Sequence, residues 1–349
     1  MITDPMECDV QPRAQPQPPR TAAPRSAAAA LLALAMLGGC GGSPGDAGAP
    51  PLDVAQRTAA ATATAQGNAQ CVGIRPFYWE IGDRASVLAS GSVTRPGGPS
   101  VSGSDVMSIA SASKWLYSTY YLERTLGALT PTDVDFLTFR SGYSSLSTCM
   151  GATTVAECLD LDNGRGSTNG AYNPASAGKF DYNGGHMQRH AADIGLGALD
   201  AVGLAAEMKS KLGADIELAF GQPQLAGGAH MSATDYAKVL RKILDGTLLM
   251  NSALGTYAVC TDPASCPQAV STPSPKGERW HYSLGHWIED DPVVGDGAFS
   301  STGAFGFYPW IDRSKTYYGV VARLDLLGAV DSVDCGRLIR KAWVSGTAQ

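Results

Sequence analysis

The chain has 349 residues, 44% hydrophobic and 17% charged, with 26 basic against 32 acidic side chains and a net charge of −6. That apolar share is enough for a large core, which excludes whole-chain disorder, and the slight acidity offers no electrostatic footprint for nucleic acid or an anionic membrane surface. No apolar run reaches the ~18 residues of a spanning helix, while Gly at 41 and Pro at 21 predict many turns.

Taken in chain order, the first feature is the apolar run AAAALLALAML at residues 27–37, preceded by Arg20 and Arg25. It is too short to cross a bilayer and has the length of a signal-peptide h-region. It ends in Leu37-Gly38-Gly39-Cys40, which resembles the lipobox of bacterial lipoproteins, where the cysteine is lipidated and becomes the first mature residue. Residues 1–39 therefore read as a lipoprotein-type signal peptide and Cys40 as the lipidation site; the rival is a plain secretory signal with an incidental cysteine. The stretch before the run is long and carries Asp4 and Glu7, so the true translation start stays open. Residues 40–70 are rich in Ala, Gly, Pro and Thr, with almost no bulky apolar side chain. Such a segment cannot offset its ordering entropy and reads as a disordered tether, leaving 71–349 as the folded domain.

Six cysteines follow Cys40: Cys71, Cys149, Cys158, Cys260, Cys266 and Cys335. An even count in an exported chain predicts disulfides, although six cysteines allow fifteen pairings. The expected bridges are the short loops Cys149–Cys158 and Cys260–Cys266, with Cys71–Cys335 joining the two ends. Cys-x-x-Cys spacing is missing, so the cysteines do not read as a metal site.

Residues 72–94 read as a hairpin turning at Gly82-Asp83-Arg84. Residues 109–126 read as a helix with Ala112, Trp115, Thr119, Leu122 and Leu126 on one stripe, ended by Gly127. Residues 128–230 are loop-rich, with a helix near 186–212. Ser232-Ala-Thr-Asp235 opens a further helix as a capping box. Strands are expected at 280–289, 298–311 and 316–324, the last two joined by a turn at Asp312-Arg313-Ser314-Lys315, and a closing helix at 326–344. The fold class is thus α+β: an antiparallel sheet flanked by helices and built from both chain ends (about 71–125 and 280–349), with a helical and loop region at about 126–279 inserted between.

The chemistry starts at Ser111-Ala112-Ser113-Lys114. Three residues apart is one helical turn, so hydroxyl and amine share a face. A serine needs a base to become a nucleophile, and a lysine serves only when neutral, which requires its pKa to fall by ~3 units from about 10.4. Burial and the positive potential of a helix N-terminus both act in that direction. Alone the motif is weak. A second copy, Ser176-Ala-Gly-Lys179, has an internal Gly and no amphipathic helix after it and reads as loop.

Several ordered landmarks give the first copy its meaning. Asp105 to Lys114, Phe136-Leu-Thr-Phe-Arg-Ser-Gly142, Ala226-Gly-Gly-Ala-His-Met-Ser-Ala-Thr-Asp235 and Tyr282-Ser-Leu-Gly-His-Trp287 occur in the order seen in the serine β-lactamase and penicillin-binding-protein superfamily. Over about residues 75–345 the chain resembles the class C and carboxylesterase-like branch of that superfamily. The resemblance implies Ser111 as nucleophile, Lys114 as its base, and Tyr182, in Phe180-Asp181-Tyr182-Asn183-Gly184, as the proton relay to the leaving group. The family's Tyr-x-Asn motif has Gly184 at its third position and Asn183 one residue early, which puts the substrate-amide contact of Asn183 in question. For the third motif the match is Ser301-Thr302-Gly303, implying substrate contacts from these three, and an oxyanion hole of the Ser111 and Ala304 N–H groups. Lys315-Thr316-Tyr317 is a decoy on the last hairpin. Ser301 brings no cation to hold a substrate carboxylate, which argues for neutral esters or amides.

The other candidates read as structural. His186 and His190 are four apart with no third metal ligand; Trp280, His281, His286 and Trp287 read as strand packing, with pocket wall as the alternative; Asp181 either tunes Tyr182 or shapes a turn. The expected function is a serine hydrolase acting on a small ester or amide through an acyl-enzyme, with no metal or organic cofactor, no nucleic-acid partner, and membrane contact only through the lipid anchor. The alternatives are a β-lactamase or D-Ala-D-Ala carboxypeptidase, and a catalytically inactive surface binding protein.

Overall fold

The computed structural model describes residues 52–273 and 277–349. The expected signal segment 1–39, Cys40 and the start of the tether lie outside the described residues.

The chain begins with helices α1 (Val54–Gly67) and α2 (Ala69–Gly73) and the hairpin β1 (Phe77–Gly82) and β2 (Val87–Val93). After β3 (Met107–Ser108), a single 3₁₀ turn leads into α3 (Ser113–Arg124). Helices α4 (Pro131–Leu137) and α5 (Val155–Asp160), strand β4 (Phe180–Asp181), helices α6 (Gly185–Ala191) and α7 (Ala201–Leu212), and strands β5 (Ala219–Phe220) and β6 (Ala229–Met231) follow. Next come α8 (Ala233–Leu244), α9 (Met250–Ala253), β7 (Val259–Cys260), β8 (Ala269–Ser271), β9 (His281–Tyr282) and β10 (Trp287–Ile288). The chain closes with β11 (Phe299–Ser300), β12 (Tyr308–Ile311), β13 (Tyr318–Ala322) and α10 (Ala329–Ser345).

The main sheet has eight strands in the order β2-β1-β13-β12-β11-β10-β9-β7, and every pairing in it is antiparallel. Pairing of β1 with β13, Tyr78 opposite Ala322 and Gly82 opposite Tyr318, sets the first and last strands side by side, and β13 is buried along its whole length. Two small sheets, β3-β6-β5 and β4-β8, hold the approach to α3 and the segment before Tyr182. The α+β architecture agrees with the sequence reading.

Three expectations change. The first concerns 52–70, read as tether: α1 is helical from Val54 and lies on α10, with Arg57 Nη1 donating to the Trp343 carbonyl at 2.7 Å. Asp53 and Gln56 form a capping box, and Ala60, Ala61, Thr64 and Ala65 make a small-residue face that α10 approaches closely. Low bulk does not prevent burial where the partner helix comes near enough. The second concerns α3, whose residues from Ser113 to Leu122 are all buried, whereas Leu126 is exposed; the helix runs through the core and has no solvent face until its end. The third concerns the cysteines. Cys71–Cys335 and Cys149–Cys158 are bonded as expected, but Cys260 and Cys266 are free thiols, Cys260 hydrogen-bonding to Cys266. Asp262 caps the turn between them, accepting from Ala264 N and Ser265 Oγ, so that turn holds its shape without a cross-link.

Two disulfides point to an oxidising environment. Among the described residues no helix is long and apolar enough to cross a membrane.

Candidate active site

Ala110 carries the chain from β3 into the 3₁₀ turn with φ of +44°, a conformation that costs a residue with a Cβ and is held by its neighbours. Those neighbours are Ser113 Oγ, donating to the Ala110 carbonyl at 2.6 Å, and Ile109 N, donating to Ala229 O at 3.1 Å. Ser111 is thereby set at the start of the α3 helix, one turn ahead of Lys114.

The Lys114 amine donates to Ser111 Oγ at 2.9 Å and to the Ala226 carbonyl at 2.7 Å. The residue is 5% exposed and, among the described residues, has no carboxylate partner. Burial alone pulls its pKa from 10.5 to about 7, so an appreciable share of the amine is neutral in mildly alkaline solution. The amine also lies 4.9 Å from the centre of the Tyr182 ring.

Tyr182 follows β4 and is fixed through its backbone, its N–H donating to Ser271 O on β8 at 3.3 Å. Its ring stacks on Trp287 with centroids 5.2 Å apart and meets Phe139 and Tyr282 edge-on. Burial raises the phenol to about 12, eased by hydrogen bonds with Ser111 and with the Trp287 side chain. The phenol thus stays protonated and touches the same hydroxyl as the amine. Ser111, Lys114 and Tyr182 converge as the spacing and the resemblance required.

Two cavities meet at this point. A cleft of about 860 Å³ is lined by Ser111, Lys114, Tyr182, Gly184, Gln222 and His230, among others, and its only other charged side chain is Asp200. A slot of about 200 Å³ opens on the other side, between Ser111, Tyr182, Trp280, Trp287, Ala304 and Val330.

By sequence the chain matches no protein-family model and no curated protein. Solved structures do match. A candidate β-lactamase from Bacteroides dorei superposes with a TM-score of 0.56 at 16% identity, over 77% of this chain and 93% of its own. The octameric penicillin-binding protein homologue of Pyrococcus abyssi gives 0.55 at 13% identity over 85% and 78%. A D-stereospecific amidohydrolase from Streptomyces gives 0.52 at 13% identity over 85% and 100%. The fold is that of the β-lactamase and penicillin-binding-protein superfamily.

Within that fold several residues take places other than those expected. Asn183 does not present its amide to the cleft: Oδ1 accepts from Leu146 N at 3.0 Å and Gly185 N at 2.8 Å, and Nδ2 donates to Leu146 O at 3.0 Å. With these three bonds Asn183 is a clamp on the cleft wall, and Gly184, at the usual Asn position of the superfamily motif, supplies no amide. Ser301 is buried and donates to the Ser111 carbonyl at 3.2 Å, bracing the nucleophile from behind rather than facing substrate. Gly303 is needed for contact: a Cβ there would sit 2.3 Å from the Ile109 carbonyl. Thr302 and Ala304 do reach the slot beside Ser111.

The remaining candidates fall into place as structure. His186 has both ring nitrogens engaged, with Ser141 Oγ and the Asp181 carbonyl; so has His190, with the Tyr117 hydroxyl and Asp133. Neither is free to bind a metal. Asp181 spends its carboxylate on the Ser271 hydroxyl at 2.7 Å, away from the phenol. His281 pairs with Asp290, and His286 stacks on Trp115. Trp280 and Trp287, expected as packing with pocket wall as the alternative, are packed and also wall the slot. Ser176 donates to Asn173 O in a turn with Gly178 at φ +75°, and the Lys315 amine rests on Asn251 O, so both decoys are loops. Sequence reasoning assigned no role to the Ala226 carbonyl, which anchors the lysine. The only signal was the position of Ala226-Gly-Gly-Ala229 in the resemblance.

Proposed function

We infer that the protein is a serine hydrolase of uncharged esters or amides. The observation that carries this is a buried amine 2.9 Å from the Ser111 hydroxyl and without a counter-ion among the described residues. Ser111 Oγ attacks the carbonyl carbon while its proton passes to neutral Lys114. The carbonyl oxygen takes up negative charge, for which the Ser111 and Ala304 N–H groups are the donors. As the bond to the leaving atom breaks, the proton held by Lys114 is delivered to that atom through Tyr182. Water then attacks the acyl-enzyme, giving up its proton to the same pair; the bond from the acyl carbon to Ser111 Oγ breaks, that oxygen takes the proton back, and the acid leaves. Among the described residues the cleft is lined by no cation other than Lys114 for a substrate carboxylate, which favours neutral substrates over β-lactams and D-Ala-D-Ala peptides. The disulfides and the sequence's export signal support action outside the cytoplasm, with Cys40 as the anchor; extraction that needs detergent in the full chain, but not in a Cys40→Ser variant, tests the anchor.

The decisive experiment is Ser111→Ala with a fluorophosphonate probe and a panel of p-nitrophenyl esters. Turnover is expected to fall by about 10⁴-fold or more and labelling to vanish. Labelling that persists in the variant would remove Ser111 as nucleophile. Rapid nitrocefin turnover would move the reading to a β-lactamase.

A further inference from the structure

A cavity of about 800 Å³ lies along the C-terminal half of α10, between the stretch from Arg337 to Ser345, the loop Val294-Gly295-Asp296 and the hairpin turn Asp312-Arg313-Ser314. It shares no residue with the cleft or the slot beside Ser111. Val330 in the slot and Lys341 in this cavity are eleven residues apart on the same helix, or roughly 16 Å at the helical rise.

The lining has an apolar half and a cationic half. Val294 and Val344 are 49% and 52% exposed, and the carbon stems of Arg337 and Lys341 continue their surface. The two bordering acids are spent. Asp296 accepts from Arg340 with both oxygens, at 2.7 and 2.9 Å. Asp312 accepts from Thr316 N and Tyr317 N with one oxygen and from Ser314 N with the other. Arg340 and Arg337 are answered in turn by Glu289 and Glu278 behind them. Arg313 and Lys341 are not answered: both are exposed, and among the described residues neither makes a hydrogen bond or an ion pair.

Arg313 is also seated. Gly297, at φ +74°, leaves room for its stem, since a Cβ there would stand 2.9 Å from Arg313 Cδ. The loop beneath is held by Asp291, which accepts from Val293 N at 2.8 Å and Val294 N at 3.1 Å, and by Gly295 N donating to Asp291 O at 2.9 Å. The stem rests on a fixed surface and the guanidinium is left with its donors free.

We propose that this cavity binds a small anionic amphiphile, an alkyl phosphate or alkyl carboxylate, with its head between Arg313 and Lys341 and its chain over Val294 and Val344. The guanidinium fork suits an anion with two oxygens to offer, and the valines lose water to the chain. A purely polar anion or a neutral chain would use one half only. The site does not depend on the hydrolase reading.

The test is calorimetric titration of the full chain with hexyl phosphate, hexanol and inorganic phosphate. Hexyl phosphate is expected to bind about tenfold or more tighter than either of the others, and more weakly as salt is raised. Arg313→Gln combined with Lys341→Gln is expected to weaken it about tenfold or more while melting temperature and Ser111 labelling stay as in wild type. Val344→Ser is expected to weaken hexyl phosphate and leave inorganic phosphate unchanged. Protein already labelled at Ser111 with a fluorophosphonate should bind as well as unlabelled protein. Affinity retained by the double variant, or lost on Ser111 labelling, places the ligand elsewhere and overturns the site. Inorganic phosphate binding as tightly as hexyl phosphate, or no binding of either, overturns the amphiphile. Displacement of hexyl phosphate by phosphatidylglycerol vesicles but not by phosphatidylcholine vesicles makes the natural source a lipid headgroup; no displacement by either makes it a free amphiphile, and the site stands in both cases.

Discussion

Two buried cations in this molecule meet opposite fates. Lys114, 5% exposed, has only a hydroxyl and a carbonyl for partners, and burial brings its pKa to about 7. Arg340, 1% exposed, suffers the same burial, yet Tyr308, Glu289 and Asp296 beside it lift its pKa well above the usual value. Its guanidinium donates to Glu289 at 2.7 Å, to both Asp296 oxygens at 2.7 and 2.9 Å, and to the Tyr308 hydroxyl at 2.8 Å. Desolvation is common to both sites, so the carboxylates make the difference. Where α10 must be fixed to the sheet the fold supplies acids; around the nucleophile it withholds them, and the amine is left able to accept a proton.

The strongest way to break this contrast is Lys114→Met. Without the base, kcat/KM is expected to fall by roughly 10²–10⁴-fold. In the wild type the active form is the neutral amine, so kcat/KM climbs about tenfold per pH unit below about 7 and levels off above it. Stability follows a linked course. The folded-state pKa lies below the unfolded value of 10.5, so the unfolded chain binds the extra proton between pH 10.5 and about 7. Wild-type stability therefore declines as pH falls through that window, by on the order of 4–5 kcal/mol in all, and this component is constant below it. The melting-temperature difference of Lys114→Met over wild type is expected to widen in the variant's favour from pH 10 to pH 7. Parallel curves would mean that the amine is not destabilised by its surroundings.

Arg340→Met probes the other half. It removes the closest cation from Glu289, which is fully buried, and leaves only Arg337 at 3.4 Å and the Tyr308 hydroxyl. The urea midpoint is expected to drop by the equivalent of about 3–5 kcal/mol at unchanged slope, while Ser111 labelling of the folded fraction persists. A neutral result would show the cluster to be a desolvation burden that its acids merely offset.

What the sequence disclosed follows the range of the interactions involved. Ser111 and Lys114 were legible because one helical turn places them together. β1 and β13 were legible because aromatic and β-branched runs bounded by turn residues mark both as strands, although they are far apart in the chain. The base's anchor was not: Ala226 contributes a carbonyl, which every residue has. Asn183 misled because a one-residue offset turns its side chain from cleft to wall. The helix at Val54–Gly67 hid because alanines signal neither burial nor exposure until α10 is seen against them. The full burial of α3 hid for the opposite reason, since a helix packed on all sides has no stripe to detect. The walls of the slot were named but read as packing, a role that Trp280 and Trp287 also fill.

Asn183→Ala is the smallest of these perturbations and sharpens the contrast with a neutral case. The side chain carries no charge, so its removal should leave the electrostatics of Lys114 untouched. What it leaves behind are the N–H and C=O of Leu146 and the N–H of Gly185 without their partners, at a cost of roughly 1–3 kcal/mol. Leu146 belongs to the cleft wall that continues into the Cys149–Cys158 loop, so the loosened segment bears on substrate held in the cleft. The expected pattern is a lower urea midpoint, a KM raised severalfold, a kcat within tenfold of wild type, and a pH inflection still near 7. A hundredfold fall in kcat at undiminished stability would instead restore Asn183 to the substrate contact that the resemblance first implied. A shifted inflection would show that the amine senses this amide, and the separation between charged and neutral supports drawn from Lys114 and Arg340 would not hold.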